Sequence, residues 1–343
     1  MRSILHIIIL CLAVSLTMSG CEQGQTNRYL TLGWPDTSHS HRPVLTFPPR
    51  ARPLLASDIE IEKELLYDRY TLKDTYVYRD TVRSFKWEII RKCLAFVENI
   101  QYDTLHWGVL QNYKNLNEEA PLVRRYMKNV YGRIADTLGV ERYQSVPLYL
   151  PADGETPERY GRDGTLVFIE GEEGDFFRIS PVTIGGEWLT PRRYLKRLNP
   201  PTSFRHIIFV GRKDQNITSL ERMSRGKWKI RSMNPATTGL HRPPYAQETP
   251  LGMFLLQQKK ERMIFLKDGS SATGGYAPYA SRFTNGAYIH GVPVNVPRTA
   301  MIEYSWSLGT TPRSHMCVRN ATSHAKFIYD WAPVEATLVV VIE

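Results

Sequence analysis

The stretch from Gly286 to Asn320 constrains this chain more than any other. It opens as a short apolar strand, Ala287-Tyr288-Ile289, that ends at His290-Gly291, and closes as Arg313-Ser314-His315-Met316-Cys317-Val318-Arg319. A cysteine is a useful nucleophile only as its thiolate, and a neighbouring imidazole is the usual means of making one near neutral pH. The residues from Val292 to Arg313 read as a long loop whose return brings His290 towards Cys317. The plainer reading of the same residues is a satisfied strand-end histidine and a buried cysteine acting as a small hydrophobe.

The stretch resembles the signature of the L,D-transpeptidases (YkuD-type catalytic domain): a histidine-glycine after a strand, a loop, then Ser/Thr-His-Gly-Cys-apolar-Arg/Asn. Here that reads His290-Gly291 and Ser314-His315-Met316-Cys317-Val318-Arg319. Upstream, Glu248-Thr249-Pro250-Leu251-Gly252-Met253-Phe254 resembles the family's T-P-x-G-x-F segment. The resemblance runs from about Arg205 to Glu343, with two departures. Met316 stands where the family has glycine, and the loop after His290 is longer. Glycine before the cysteine serves either a positive φ or room for substrate.

The resemblance implies a mainly antiparallel β catalytic domain over 201–343 that acts on the tetrapeptide stems of peptidoglycan. Cys317 would attack the amide at the L-centre of the stem's diamino acid, expel D-alanine and hold the acyl group as a thioester, with His290 as proton donor and acceptor. The N–H groups of Met316 and Cys317 are the expected oxyanion donors. Ser314, His315 and Gly291 support the turn, and His315 is the other candidate base. Arg319 either holds a stem carboxylate or makes a structural ion pair. Transfer to an amine forms a cross-link; transfer to water makes an L,D-carboxypeptidase. The resemblance also implies acylation of Cys317 by carbapenems, and no cofactor.

The N-terminus reads as a leader. Arg2 precedes an apolar run from Ile4 to Leu16 that is too short to span a bilayer permanently. Ser19-Gly20-Cys21 resembles a lipobox, so 1–20 are expected to be removed and Cys21 lipidated, anchoring the protein to a membrane facing the cell wall in the periplasm. An ordinary cleaved leader is the plainer alternative. Of four cysteines, Cys11 would leave with the leader, and Cys93 sits in a helical pattern. No disulfide framework is therefore expected. The formal charge of +10 suits an anionic polymer or surface, and export argues against nucleic acid.

The fold class expected is α+β. Residues 21–57 read as a proline-bearing tether and 58–145 as a helical region. In the latter, Ser84 is the N-cap of a helix carrying Ile90, Cys93, Leu94 and Val97, and a second helix runs from Pro121 to Leu138. Short strands over 146–200 suggest a small SH3-like β-barrel, and the catalytic domain follows. Two other classes stay open. His290, His315, Cys317 and His324 are candidate zinc ligands, and Met316 allows a non-catalytic wall-binding lipoprotein with a degenerate site.

Overall fold

The computed structural model describes residues 52–101, 106–128, 132–199, 203–243 and 245–343. The chain clusters into two units, 1–31 and 32–343, and the described residues all belong to the second. The leader, Cys21 and the tether up to Ala51 lie outside the described residues. Two α-helices are described, α1 (Trp87–Ile100) and α2 (Thr322–Trp331). No helix among the described residues is long and apolar enough to cross a membrane.

Two sheets face each other across the main core. The first has the strand order Glu60–Lys63, Lys227–Pro235, Asn216–Ser224, His206–Gly211, Thr337–Ile342, Gly252–Leu255. Every residue of Thr337–Ile342 is buried, as its β-branched run demands of a strand covered on both faces. The second sheet runs Gln258–Leu266, Thr273–Thr284, Ala287–His290, Val318–Arg319. Ile208, Val210, Phe254, Val339 and Val341 from the first sheet share one cluster with Phe283, Ile289 and Val318 from the second and Ile328 of α2. Each such side chain contributes roughly 1.5–3 kcal/mol on leaving water. Ile289 and Val318 therefore clamp their strands to the core, whatever their opposite faces carry.

The expected helical region is mostly not helical. α1 is present, and the expected Ile90, Cys93, Leu94 and Val97 are buried on it, with Ile100 beside them. Ser84 does not cap it: Ser84 ends the strand Thr81–Ser84, and Lys86 precedes the helix with no side-chain cap. In place of a second helix stands a hairpin of Tyr126–Lys128 and Ile134–Asp136. Two features explain the difference. Gly132 sits at φ 73°, outside helical geometry. The buried Asp136 carboxylate accepts the N–H groups of Leu138, Val140 and Tyr160, which locks a turn where a helix would need those groups for itself. Met127 and Leu138, two apolar positions of the expected helix, are exposed. The strand Glu60–Lys63, also within this region, joins the first sheet parallel to Lys227–Ile230.

Of the strands in the region 146–200, Ser145–Leu148 and Arg159–Arg162 pair only with each other, and four others form an antiparallel sheet with one recruit from upstream. Its order is Trp188–Pro191, Phe176–Pro181, Leu166–Glu173, His106–Leu110, Leu195–Arg197. Leu110, Val146, Val167, Ile179 and Trp188 fill its core. Asp163 bolts it to the second sheet. Its buried carboxylate pairs with Arg282, accepts Gln257 Nε2 at 2.8 Å, and accepts the N–H of Asn112 at 2.8 Å. A buried ion pair fixes geometry more than it adds stability, and here the Arg282 Nε is left without a partner among the described residues. Gly164 beside it leaves room for this approach, since a Cβ there would lie 2.0 Å from the Phe283 carbonyl oxygen.

Candidate active site

The strands Ala287–His290 and Val318–Arg319 pair in parallel, Ile289 opposite Val318 and His290 opposite Arg319. Side chains alternate between faces along a strand. Ile289 and Val318 enter the main core, so Tyr288, His290, Cys317 and Arg319 belong to the other face. Tyr288 and Cys317 do share a small cluster there with Ala280. Cys317 sits two residues before Arg319, diagonally across from His290. No hydrogen bond joins the two side chains among the described residues.

His290 is buried, and its Nδ1 donates to the Gly291 carbonyl at 2.6 Å. That bond assigns the proton to Nδ1 and leaves the Nε2 lone pair unused. Burial pulls the His290 pKa down to about 4, against an opposing effect of the Gly291 carbonyl and with help from the Arg319 cation. Gly291 has little space: a Cβ there would meet Thr322 Oγ1 at 2.7 Å and Pro278 at 2.9 Å. Cys317 is 9% exposed, and its thiol donates to the Gly286 carbonyl at 3.6 Å. Burial pushes its pKa up, offset in part by the Tyr288 N–H and the Arg319 guanidinium. At rest the site thus holds a neutral imidazole and a protonated thiol.

The turn that presents Cys317 is fastened at each residue. Ser314 is buried and its Oγ donates to the Cys317 carbonyl. The His315 carbonyl accepts the Gln247 N–H at 2.8 Å, and the Met316 carbonyl accepts Thr249 Oγ1 at 2.8 Å. Thr249 Oγ1 accepts in turn from the Gly239 N–H at 2.8 Å. Thr249 and Gly239 received no role from the sequence. The signal for Thr249 lay in its Thr-Pro motif; Gly239 is needed because a Cβ there would lie 2.9 Å from the Met316 Cα. Met316 itself has no positive φ, so the backbone does not ask for glycine at this position. Its side chain packs on the main core's edge.

The remaining candidates separate. His315 is half exposed, and its Nε2 meets Asp268 at 2.8 Å rather than the thiol. His324 is buried in α2, its Nε2 bonded to Ser232 Oγ at 2.9 Å and its Nδ1 to Asn320 Oδ1 at 3.2 Å. The candidate zinc ligands do not converge, and no group of three His, Cys, Asp or Glu side chains is placed to hold a metal among the described residues. Arg319 has no ion pair among the described residues, and its Nε has no hydrogen-bond partner, so the structural ion pair is not formed. Tyr288, beside Cys317, bonds Tyr113 through their hydroxyls at 3.0 Å. Cys93 lies fully buried in α1, its thiol pushed up to about 12 by burial.

A cleft of about 500 Å³ reaches the turn, lined on this side by Gly286, His315 and Met316. Its other wall comes from residues between Glu119 and Gln144.

No curated protein matches the chain. Among solved structures, it is 22% identical to a fused Zn-dependent amidase/peptidase/peptidoglycan-binding domain-containing protein from Clostridium acetobutylicum, over 42% of this chain and 54% of that one, with a TM-score of 0.30. The chain thus spans about half the length of that protein. It is 17% identical to an L,D-transpeptidase from Mycobacterium smegmatis (52% and 82% covered, TM-score 0.33). With L,D-transpeptidase 3 from Mycobacterium tuberculosis, solved with a faropenem-derived adduct, the identity is 18% (51% and 79% covered, TM-score 0.33). Residues 205–341 match the model of the YkuD family, the L,D-transpeptidase catalytic domain.

Proposed function

We propose that this protein is a cysteine-dependent peptidoglycan L,D-transpeptidase. The family match over 205–341 supports the class. One observation carries the assignment of residues: Cys317 and His290 lie on one face of a parallel strand pair, with the imidazole Nε2 left free by the Nδ1 bond to Gly291. In this reading the thiol leaves the Gly286 carbonyl when substrate enters, since catalytic hydrogen bonds commonly tighten only with substrate bound. Sγ attacks the amide carbon of a tetrapeptide stem as its proton passes to His290 Nε2. The C–N bond breaks, the proton moves to the departing D-alanine amine, and the acyl group stays on Sγ as a thioester. An amine then attacks the thioester, His290 takes its proton, and the thiol is restored.

The N–H groups of Met316 and Cys317 precede the strand that begins at Val318, and no acceptor takes them among the described residues. They are the donors for the developing oxyanion. Arg319, beside the thiol and without an ion pair, supplies the positive charge for a stem carboxylate. Lipid attachment at Cys21 and export to a wall-facing membrane complete the reading; Cys21→Ala is expected to move the protein to the soluble fraction or block leader removal. The test of function is incubation of the purified protein with disaccharide-tetrapeptide. Cross-linked dimers, or tripeptide with free D-alanine if water is the acceptor, are expected from wild type and neither from Cys317→Ala. Products made equally by both would overturn the reading.

A further inference from the structure

The wall of the cleft opposite the cysteine turn is built from a segment outside the family match, and it is charged. Glu119 pairs with Arg142 at 3.1 Å and Glu141 with Arg133 at 3.5 Å. All four side chains line the cleft, together with Met316 and Gly286, whose carbonyl receives the Cys317 thiol. A volume of about 500 Å³ lies within the usual 300–1,000 Å³ range of small-ligand sites, here enough for the end of a short peptide.

We infer that this wall is a specificity site for a zwitterionic peptide end, a carbon bearing both a free ammonium and a free carboxylate, with Glu119 and Arg142 as its readers. A wall of one sign would select a simple anion or cation. Paired signs in neighbouring side chains complement a ligand that carries both charges on one atom. Arg142 is anchored in a suitable pose: its Nε donates to the Ala120 carbonyl, and its Nη1, here against Glu119 Oε2, is released to a ligand carboxylate when Glu119 turns away. Glu119, more exposed than its partner at 51% against 22%, is free to turn from Arg142 to an ammonium.

The wall is also rigid, which a selective site requires. The Ser145 N–H donates to the Arg142 carbonyl at 3.1 Å and its Oγ to the Glu141 carbonyl at 2.6 Å. Asn112 Nδ2 holds the Ser145 carbonyl at 2.7 Å, and the Asn112 N–H reaches the buried Asp163 that bolts this part of the chain to the second sheet. The inference rests on the acyl-transfer reading only for naming the ligand as a stem whose diamino acid carries a free amino-acid end.

The experiment is a calorimetric titration of the full chain carrying Cys317→Ala, which cannot react, with a stem tripeptide ending in such a diamino acid. The same tripeptide acetylated on its free amine is the control. Binding of the free form is expected to be about tenfold tighter than that of the acetylated form, and Glu119→Gln is expected to erase most of this preference without changing affinity for the acetylated peptide. Glu119→Lys is expected to reverse it. An equal preference in the Glu119→Gln variant, or none in its parent, overturns the inference. Discrimination in binding with no thioester on wild-type Cys317 would keep this site and sink the transpeptidase reading. A thioester without discrimination would do the opposite.

Discussion

Thr249 Oγ1 donates to the carbonyl of Met316 across a gap of 2.8 Å, joining the Thr-Pro segment to the turn that carries Cys317. The same oxygen accepts the Gly239 N–H, so one hydroxyl satisfies two backbone groups beside the proposed nucleophile. Thr249→Val keeps the shape and removes both bonds. Leaving buried groups unpaired costs about 1–3 kcal/mol each, so a loss of about 2–6 kcal/mol in unfolding free energy is expected. Acylation by a carbapenem should fall more than overall stability explains, because the turn loosens. A variant with wild-type urea midpoint and wild-type acylation would contradict this role.

His290 must be unprotonated to accept the thiol proton, and its pKa is held at about 4 by burial. The base form is therefore present down to about that pH, well below the ordinary histidine range. Because the thiol is pushed up rather than down, the acylation rate is expected to stay level from about pH 5.5 to about pH 8 and to fall below about pH 5. A rate climbing about tenfold per pH unit through that range would instead show that free thiolate, formed without His290, does the attacking.

Met316→Gly relieves no backbone strain, since Met316 has no positive φ. The substitution does remove apolar contact at the core's edge and adds chain entropy, at a cost of roughly 1 kcal/mol. It also widens the cleft that Met316 lines. A bulky carbapenem is expected to acylate Met316→Gly faster than wild type, while iodoacetamide, which is small, should alkylate Cys317 at the same rate in both. Equal acceleration of the two reagents would mean the backbone, and not the room, had changed.

His324 carries its own pH signature. Burial holds its folded pKa at about 3, against an ordinary value near 6.5 for the unfolded chain. The unfolded state therefore takes up the proton first. The stability conferred by the neutral folded form is complete above about pH 6.5 and is lost as pH falls towards the folded pKa, by at most about 1.4 kcal/mol per pH unit from this group. His324→Gln retains hydrogen-bonding capacity towards Ser232 and does not titrate. Urea midpoints at about pH 7 and about pH 5 should differ less in this variant than in wild type. An unchanged difference would assign the acid sensitivity elsewhere.

Much of the site was legible because its chemistry is local. His290-Gly291 and the run from Ser314 to Arg319 announce themselves as residue types in order, and the β-branched run Thr337–Ile342 announces a buried strand. What the sequence hid is long-range. Thr249 and Gly239 matter through bonds to a turn far along the chain. The charged wall from Glu119 to Arg142 was masked by an accidental helical period, which yielded to Asp136 and Gly132. Asp163 does stand in a turn, but nothing local announces that it is also the buried partner of Arg282. A side chain's partner across more than a hundred residues leaves no local periodicity to detect.

The most direct measurement of the central claim is the intact mass of the full chain after brief exposure to a tetrapeptide stem. Wild type is expected to gain the mass of the stem less its terminal D-alanine, with the adduct mapped to the peptide containing Cys317. Cys317→Ala should gain nothing. His290→Ala should acquire the adduct at least about a hundredfold more slowly, and the double variant should be no worse than Cys317→Ala alone, as members of one catalytic unit behave. An adduct on Cys93, or one formed on Cys317 at an undiminished rate in His290→Ala, would contradict the account.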